Sequence, residues 1–152
     1  MTESQSESQS DIESGRHTNY DLFLNSILHV SVIDCKTEGE GLSQVITYLV
    51  KTILETNGRN SKPRVVRRRH HDFVWLHESL SNWSAGCILP PLPPKVVLSA
   101  FTLQSTKKYL QDLENFLVRV IRHPLLRSSS AVYDFLFLPS RADLGQVQGQ
   151  SK

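Results

Sequence analysis

Arg64-Val65-Val66-Arg67-Arg68-Arg69-His70-His71-Asp72-Phe73-Val74-Trp75-Leu76 passes from one periodicity to another without a break. Arg64 to Arg69 suits a β-strand, on which successive side chains point to opposite faces. Arg67 and Arg69 then share a face and Arg68 points away. From Asp72 to Asn82 the apolar spacing changes: Phe73, Leu76 and Leu80 fall at i, i+3 and i+7, the stripe of a helix with one buried face. Asp72 sits where a first-turn carboxylate suits the helix dipole. Two explanations fit the arginines. A solvated sheet edge uses charge to deter edge-to-edge aggregation, whereas planar guanidinium forks on one face match phosphate oxygens.

Upstream, Leu28, Val30 and Val32 alternate with His29, Ser31 and Ile33, as in a strand buried on one side. Thr37-Glu38-Gly39-Glu40-Gly41 breaks it, and the β-branched run Val45 to Leu54 reads as a second strand. Asn57-Gly58 tolerates positive φ at both positions and predicts a hairpin into the arginine strand. The result is a three-stranded antiparallel meander. Downstream, Leu89-Pro90-Pro91-Leu92-Pro93-Pro94-Lys95 is restricted to polyproline II or turn. Ser105 to Arg122 is a long helix with Tyr109, Leu113, Phe116, Leu117 and Val120 on one face, stopped by His123-Pro124. A short helix starting within Ser128-Ser129-Ser130 buries Val132, Phe135 and Leu136 and ends at Leu138-Pro139. Strands first and helices after them predict an α+β fold, with the meander packed against a helical subdomain.

The chain has 152 residues, of which 39% are hydrophobic, enough for one domain of about 100–150 residues. No apolar run approaches the roughly 20 residues that span a bilayer. The expected organisation is an acidic Ser/Gln-rich disordered tail over 1–18, a domain over 19–140 and a flexible tail over 141–152. The first 15 residues carry Glu3, Glu7, Asp11 and Glu13 and no Lys or Arg, while Asp143 and Lys152 cancel over 142–152. With a net charge of +2 overall, the stretch 16–141 holds +6, which predicts an anionic partner for the body. Cys35 and Cys87 are too few for a disulfide scaffold and are expected to be reduced thiols in the cytoplasm.

Enzyme signatures are missing: there is no nucleophile elbow, phosphate-binding P-loop or dinucleotide glycine fingerprint. His70, His71 and His77 lack a partner at metal-ligand spacing, so neither metal nor cofactor is expected. The proline segment 90–94 is a rigid connector, a ligand for an aromatic-lined groove, or an arm that places Lys95 beside the arginines. The apolar stretch after it, with Val97, Leu98 and Phe101, is either buried or the tip of a membrane-insertion loop flanked by cations.

Val66 to Leu76, Leu89 to Lys95, Leu113-Glu114-Asn115-Phe116-Leu117 and His123-Pro124-Leu125, in this order, resemble a PX (phox homology) domain of the sorting nexin family over about residues 20–138. The resemblance implies the PX fold and a non-catalytic module that binds phosphatidylinositol 3-phosphate in endosomal membranes, acting peripherally from the cytoplasm in protein sorting. It implies that Arg69 grips the 3-phosphate and that Lys95 contacts the phosphate joining headgroup to lipid. His70 stands where the family usually has the Tyr or Phe beneath the inositol ring. Tyr109 stands where the family has a basic ligand, with Lys108 the nearest substitute. Two alternatives remain: a PX-like protein-interaction module with a degenerate lipid pocket, and a basic nucleic-acid-binding domain. Against the latter, the arginine strand lacks interleaved aromatics to stack bases, so no nucleic acid is expected. Protein partners are expected through the N-terminal tail or the 90–94 segment.

Overall fold

The computed structural model describes residues 19–96 and 102–139. The expected tails over 1–18 and 141–152 lie outside them. A helical turn at 19–24 leads into β1 (Ile27–Glu38), which pairs antiparallel with β2 (Val45–Thr56). Leu28, Val30 and Val32 face the core, while His29 and Ile33 are exposed. The register slips by one residue between Val32 and Asp34, leaving Ile33 as a bulge.

Asn57 and Gly58 take φ of 53° and 74°, and the two-residue turn follows the strand twist. It delivers only β3 (Arg59–Asn60) before the chain breaks at 61–63 and resumes as β4 (Arg64–Arg69). Pro63 has no amide to donate to a ladder. β3 pairs with Glu55 and Thr56, and β4 with Thr47 to Thr52. Since β1 holds one edge of β2, both lie on the other. The fold is the expected α+β class, with the third strand of the meander divided in two.

α1 (His70–Trp83) begins two residues before the predicted Asp72. α2 (Leu103–Arg122) is capped by Thr102, whose hydroxyl accepts from the Ser105 amide at 3.2 Å. Pro124 opens a single turn, α3 (Pro124–Arg127), which the sequence reading passed over. Ser129 caps α4 (Ser130–Phe137). Phe73, Leu76 and Leu80 of α1, Leu113, Phe116 and Leu117 of α2, and Val132, Phe135 and Leu136 of α4 close over Tyr48, Val50 and Val66 of the sheet. Each such side chain contributes roughly 1.5–3 kcal/mol on burial.

Arg68, turned away from Arg67 and Arg69 as strand alternation requires, is fully buried. Its Nε donates to the Phe135 carbonyl at 2.8 Å, and its Nη2 donates to the Asp134 and Leu138 carbonyls. The guanidinium lies 5.6 Å from the Phe135 ring centroid. A cation at the carbonyl end of α4 satisfies terminal acceptors and complements the helix dipole. Arg68 therefore fastens the last helix to the sheet.

Candidate functional site: a cationic cleft at the β4–α1 junction

β4 ends at Arg69 and α1 begins at the next residue, with no linker. Arg69 keeps an extended backbone (φ −90°, ψ 167°), and its amide donates to Asp72 Oδ2 at 2.7 Å. Asp72 is buried, and its other oxygen lies 3.2 Å from His71 Nε2. This bond explains the early helix start: the carboxylate three residues on satisfies the amide that caps the helix. It also fixes Arg69 at the positive end of a 14-residue helix.

The three consecutive arginines have three fates. Arg67 Nη1 donates to Glu38 Oε1 at 2.6 Å on the exposed face. Arg68 is spent on α4. The Arg69 guanidinium has no hydrogen bond or ion pair among the described residues.

Two clamps hold the proline segment against this junction. His70 Nε2 donates to the Pro93 carbonyl at 3.0 Å; because a carbonyl only accepts, Nε2 carries the proton. The Tyr109 hydroxyl donates to the Pro94 carbonyl, also at 3.0 Å. Tyr109 packs on Tyr48 with ring centroids 5.7 Å apart. Burial raises the pKa of both phenols, most for Tyr48, whose neighbour Tyr109 adds to the shift. Lys95 follows the second clamped carbonyl directly and is exposed, without an ion pair among the described residues.

Arg69, His70 and Lys95 line one cleft of about 310 Å³, walled by Ile46 and Tyr48 of β2 and by Gln44. That volume lies at the small end of the roughly 300–1,000 Å³ usual for ligand sites. Lys108 is exposed on α2 and is not among the residues lining the cleft. Val97, Leu98 and Phe101 lie outside the described residues. Sequence reasoning missed Leu42, fully exposed on the turn at Gly41–Ser43 two residues before the cleft wall. A lone leucine between Gly41 and Ser43 was the available signal. Gly39 shapes this turn: its φ is 91°, and an added Cβ would lie 2.6 Å from the Ser43 carbonyl oxygen. Among the described residues, no group of three or more His, Cys, Asp or Glu side chains is placed to hold a metal.

An antiparallel sheet whose last strand runs directly into a helix, followed by a clamped proline arm and a helical layer, defines a PX-type α+β module. The family model for the PX domain matches residues 56–138, and the chain belongs to that family. It is 38% identical over 98 residues to sorting nexin-4 of Eremothecium gossypii, covering 60% of this chain and 24% of that protein. It is 36% identical over 112 residues to sorting nexin-3 of Schizosaccharomyces pombe, covering 70% of this chain and 75% of that protein. The chain thus spans about a quarter of the first relative and three quarters of the second. A designed CISK-PX domain superposes with a TM-score of 0.57 at 37% identity, covering 71% of this chain and 97% of that one.

Proposed function

We propose that this chain is a membrane-targeting module that reads phosphatidylinositol 3-phosphate on endosomal membranes and brings sorting machinery to them. Arg69 grips the 3-phosphate, assisted by the positive end of α1. Lys95 takes the phosphate that joins headgroup to lipid, and the His70 ring lies beside the inositol. Lys108 supplies longer-range attraction, and Leu42 with Val97, Leu98 and Phe101 enters the lipid interface. The carrying observation is that two cations without ion-pair partners among the described residues, Arg69 and Lys95, line one cleft. Among the described residues no helix is long and apolar enough to cross a membrane, consistent with peripheral attachment.

Vesicle sedimentation tests the assignment, with phosphatidylinositol 3-phosphate, the 4-phosphate, the 3,5-bisphosphate or no phosphoinositide at matched total charge. Binding is expected to favour the 3-phosphate. Arg69→Gln should lose about 2–5 kcal/mol, roughly 30-fold or more, as for a desolvated charge pair. A folded Arg69→Gln protein that binds as well as the parent refutes the assignment. Tyr109 at the family's usual basic position favours the second reading, a protein-interaction module with a degenerate pocket. That reading expects equal, salt-sensitive binding to all anionic vesicles.

A further inference from the structure

β1 is an outer strand: β2 holds one of its edges, and no strand among the described residues holds the other. Two sets of hydrogen bonds show which of its backbone groups face outward. Leu54 accepts from the Ser61 amide at 2.7 Å, and its own amide donates to Ser61 Oγ at 3.0 Å. Leu54 therefore turns its backbone away from β1, and Leu28 opposite it forms a pair whose polar groups point outward. Likewise the Val32 amide donates to Glu114 Oε1 of α2 at 3.0 Å, on the outer side. By strand alternation Val30 faces outward too.

Glu114 closes this edge at Val32, and the Ile33 bulge turns the rest of it aside, devices that protect sheet edges from pairing. The amides and carbonyls of Leu28 and Val30 have no partner on that side among the described residues. They border a groove of about 490 Å³ shared with Val118 and Ile121 of α2. Ile27, 58% exposed, continues its apolar lining. Lys51 and Arg122 also line it, and neither has an ion pair among the described residues. The nearby Glu55 carboxylate is engaged by His29 at 2.7 Å.

We propose that the outer edge of β1 at Leu28 and Val30 accepts an extended peptide from a partner protein by strand addition. Unpaired backbone groups select an extended polypeptide, the apolar lining selects alternate aliphatic side chains, and Lys51 with Arg122 selects carboxylates between them. The site shares no residue with the cationic cleft and stands independently of lipid binding.

The probe is the synthetic peptide acetyl-Glu-Val-Asp-Ile-Glu-Val-Asp-amide, titrated into the isotope-labelled full chain. The Leu28 and Val30 amide signals should move, and their hydrogen exchange should slow at least about tenfold at saturation. N-methylating the peptide at alternate amides should abolish binding in one parity and spare it in the other, since only one set faces the strand. Lys51→Glu with Arg122→Glu should weaken binding at least about tenfold, and Arg69→Gln should leave it unchanged. Unmoved Leu28 and Val30 signals up to about 1 mM peptide, or binding indifferent to N-methylation in both parities, overturns the proposal.

Discussion

Arg68 and Arg69 are neighbours of identical chemistry, and the structure assigns them opposite consequences. Replacing Arg68 with Met keeps an unbranched chain in the same space but removes the donors to the carbonyls of Phe135, Asp134 and Leu138. The Asp134 carbonyl still accepts the Leu138 amide at 3.0 Å, so it is not orphaned. Those of Phe135 and Leu138 are. At about 1–3 kcal/mol for the buried Phe135 acceptor left unsatisfied, about 1 kcal/mol for the part-buried Leu138 carbonyl and up to about 1 kcal/mol from the helix dipole, the loss is about 2–5 kcal/mol. Relief from burying a cation offsets part of it, leaving about 3 kcal/mol. For a domain of this size that lowers Tm by roughly 10–15 °C. Arg69→Met removes a side chain with no partner among the described residues, and its change should stay within about 1 kcal/mol. Thermal unfolding followed by circular dichroism, beside vesicle binding, separates the two: Arg68→Met fails the first assay, Arg69→Met only the second. An Arg68→Met protein melting within about 2 °C of the parent would show that Arg68 does not hold α4.

Three further outcomes follow from the clamp and the loop. Tyr109→Phe deletes the bond to Pro94; stability should fall by about 1 kcal/mol, and vesicle affinity several-fold, as Lys95 loses its fixed position. Because burial raises the pKa of Tyr48 and Tyr109, the unfolded chain gives up these protons first. Stability should therefore be intact below about pH 10 and fall above it, by at most about 1.4 kcal/mol per pH unit per phenol. Urea midpoints at pH 9 and 11 check this, and Tyr109→Phe should show the smaller drop. Leu42→Glu should weaken vesicle binding without changing calorimetric affinity for the soluble headgroup; an equal loss in both would place Leu42 inside the pocket instead of at the membrane.

Alternation along Leu28 to Val32 and the hairpin signal at Asn57-Gly58 were legible because each is a local steric rule. So was the parity of Arg67, Arg68 and Arg69. Parity alone does not say which face meets the core, and Arg68 looks like a surface residue until α4 is seen above it. The split of the third strand had a local cause in Pro63, but its extent depended on pairing with Glu55 and Thr56. The early start of α1 was concealed because Arg69 is no cap former by type; the cap comes from Asp72 reaching back. At Tyr109 the sequence showed the departure from the family pattern. It did not show the replacement role, since the Pro94 carbonyl lies 15 positions away.

If the cleft binds a phosphate as proposed, that replacement leaves it with one cation fewer than the family pattern. A basic residue at position 109 would add attraction for a phosphate, at the cost of more positive charge near the arm that carries Lys95. Tyr109 adds no charge and ties down the arm that carries Lys95, so on the proposed reading less freedom would be lost when the lysine meets a phosphate. On that reading the trade would exchange headgroup attraction for preorganisation and leave more of the affinity to Leu42 and to surface charge. Beyond this end, β2 links the cleft to the proposed peptide groove. Ile46 lines the first and Ile53 the second, seven positions apart on one strand, or about 23 Å at the usual rise. A peptide at the far end of β2 therefore need not displace a membrane at the near end, if both bind as proposed.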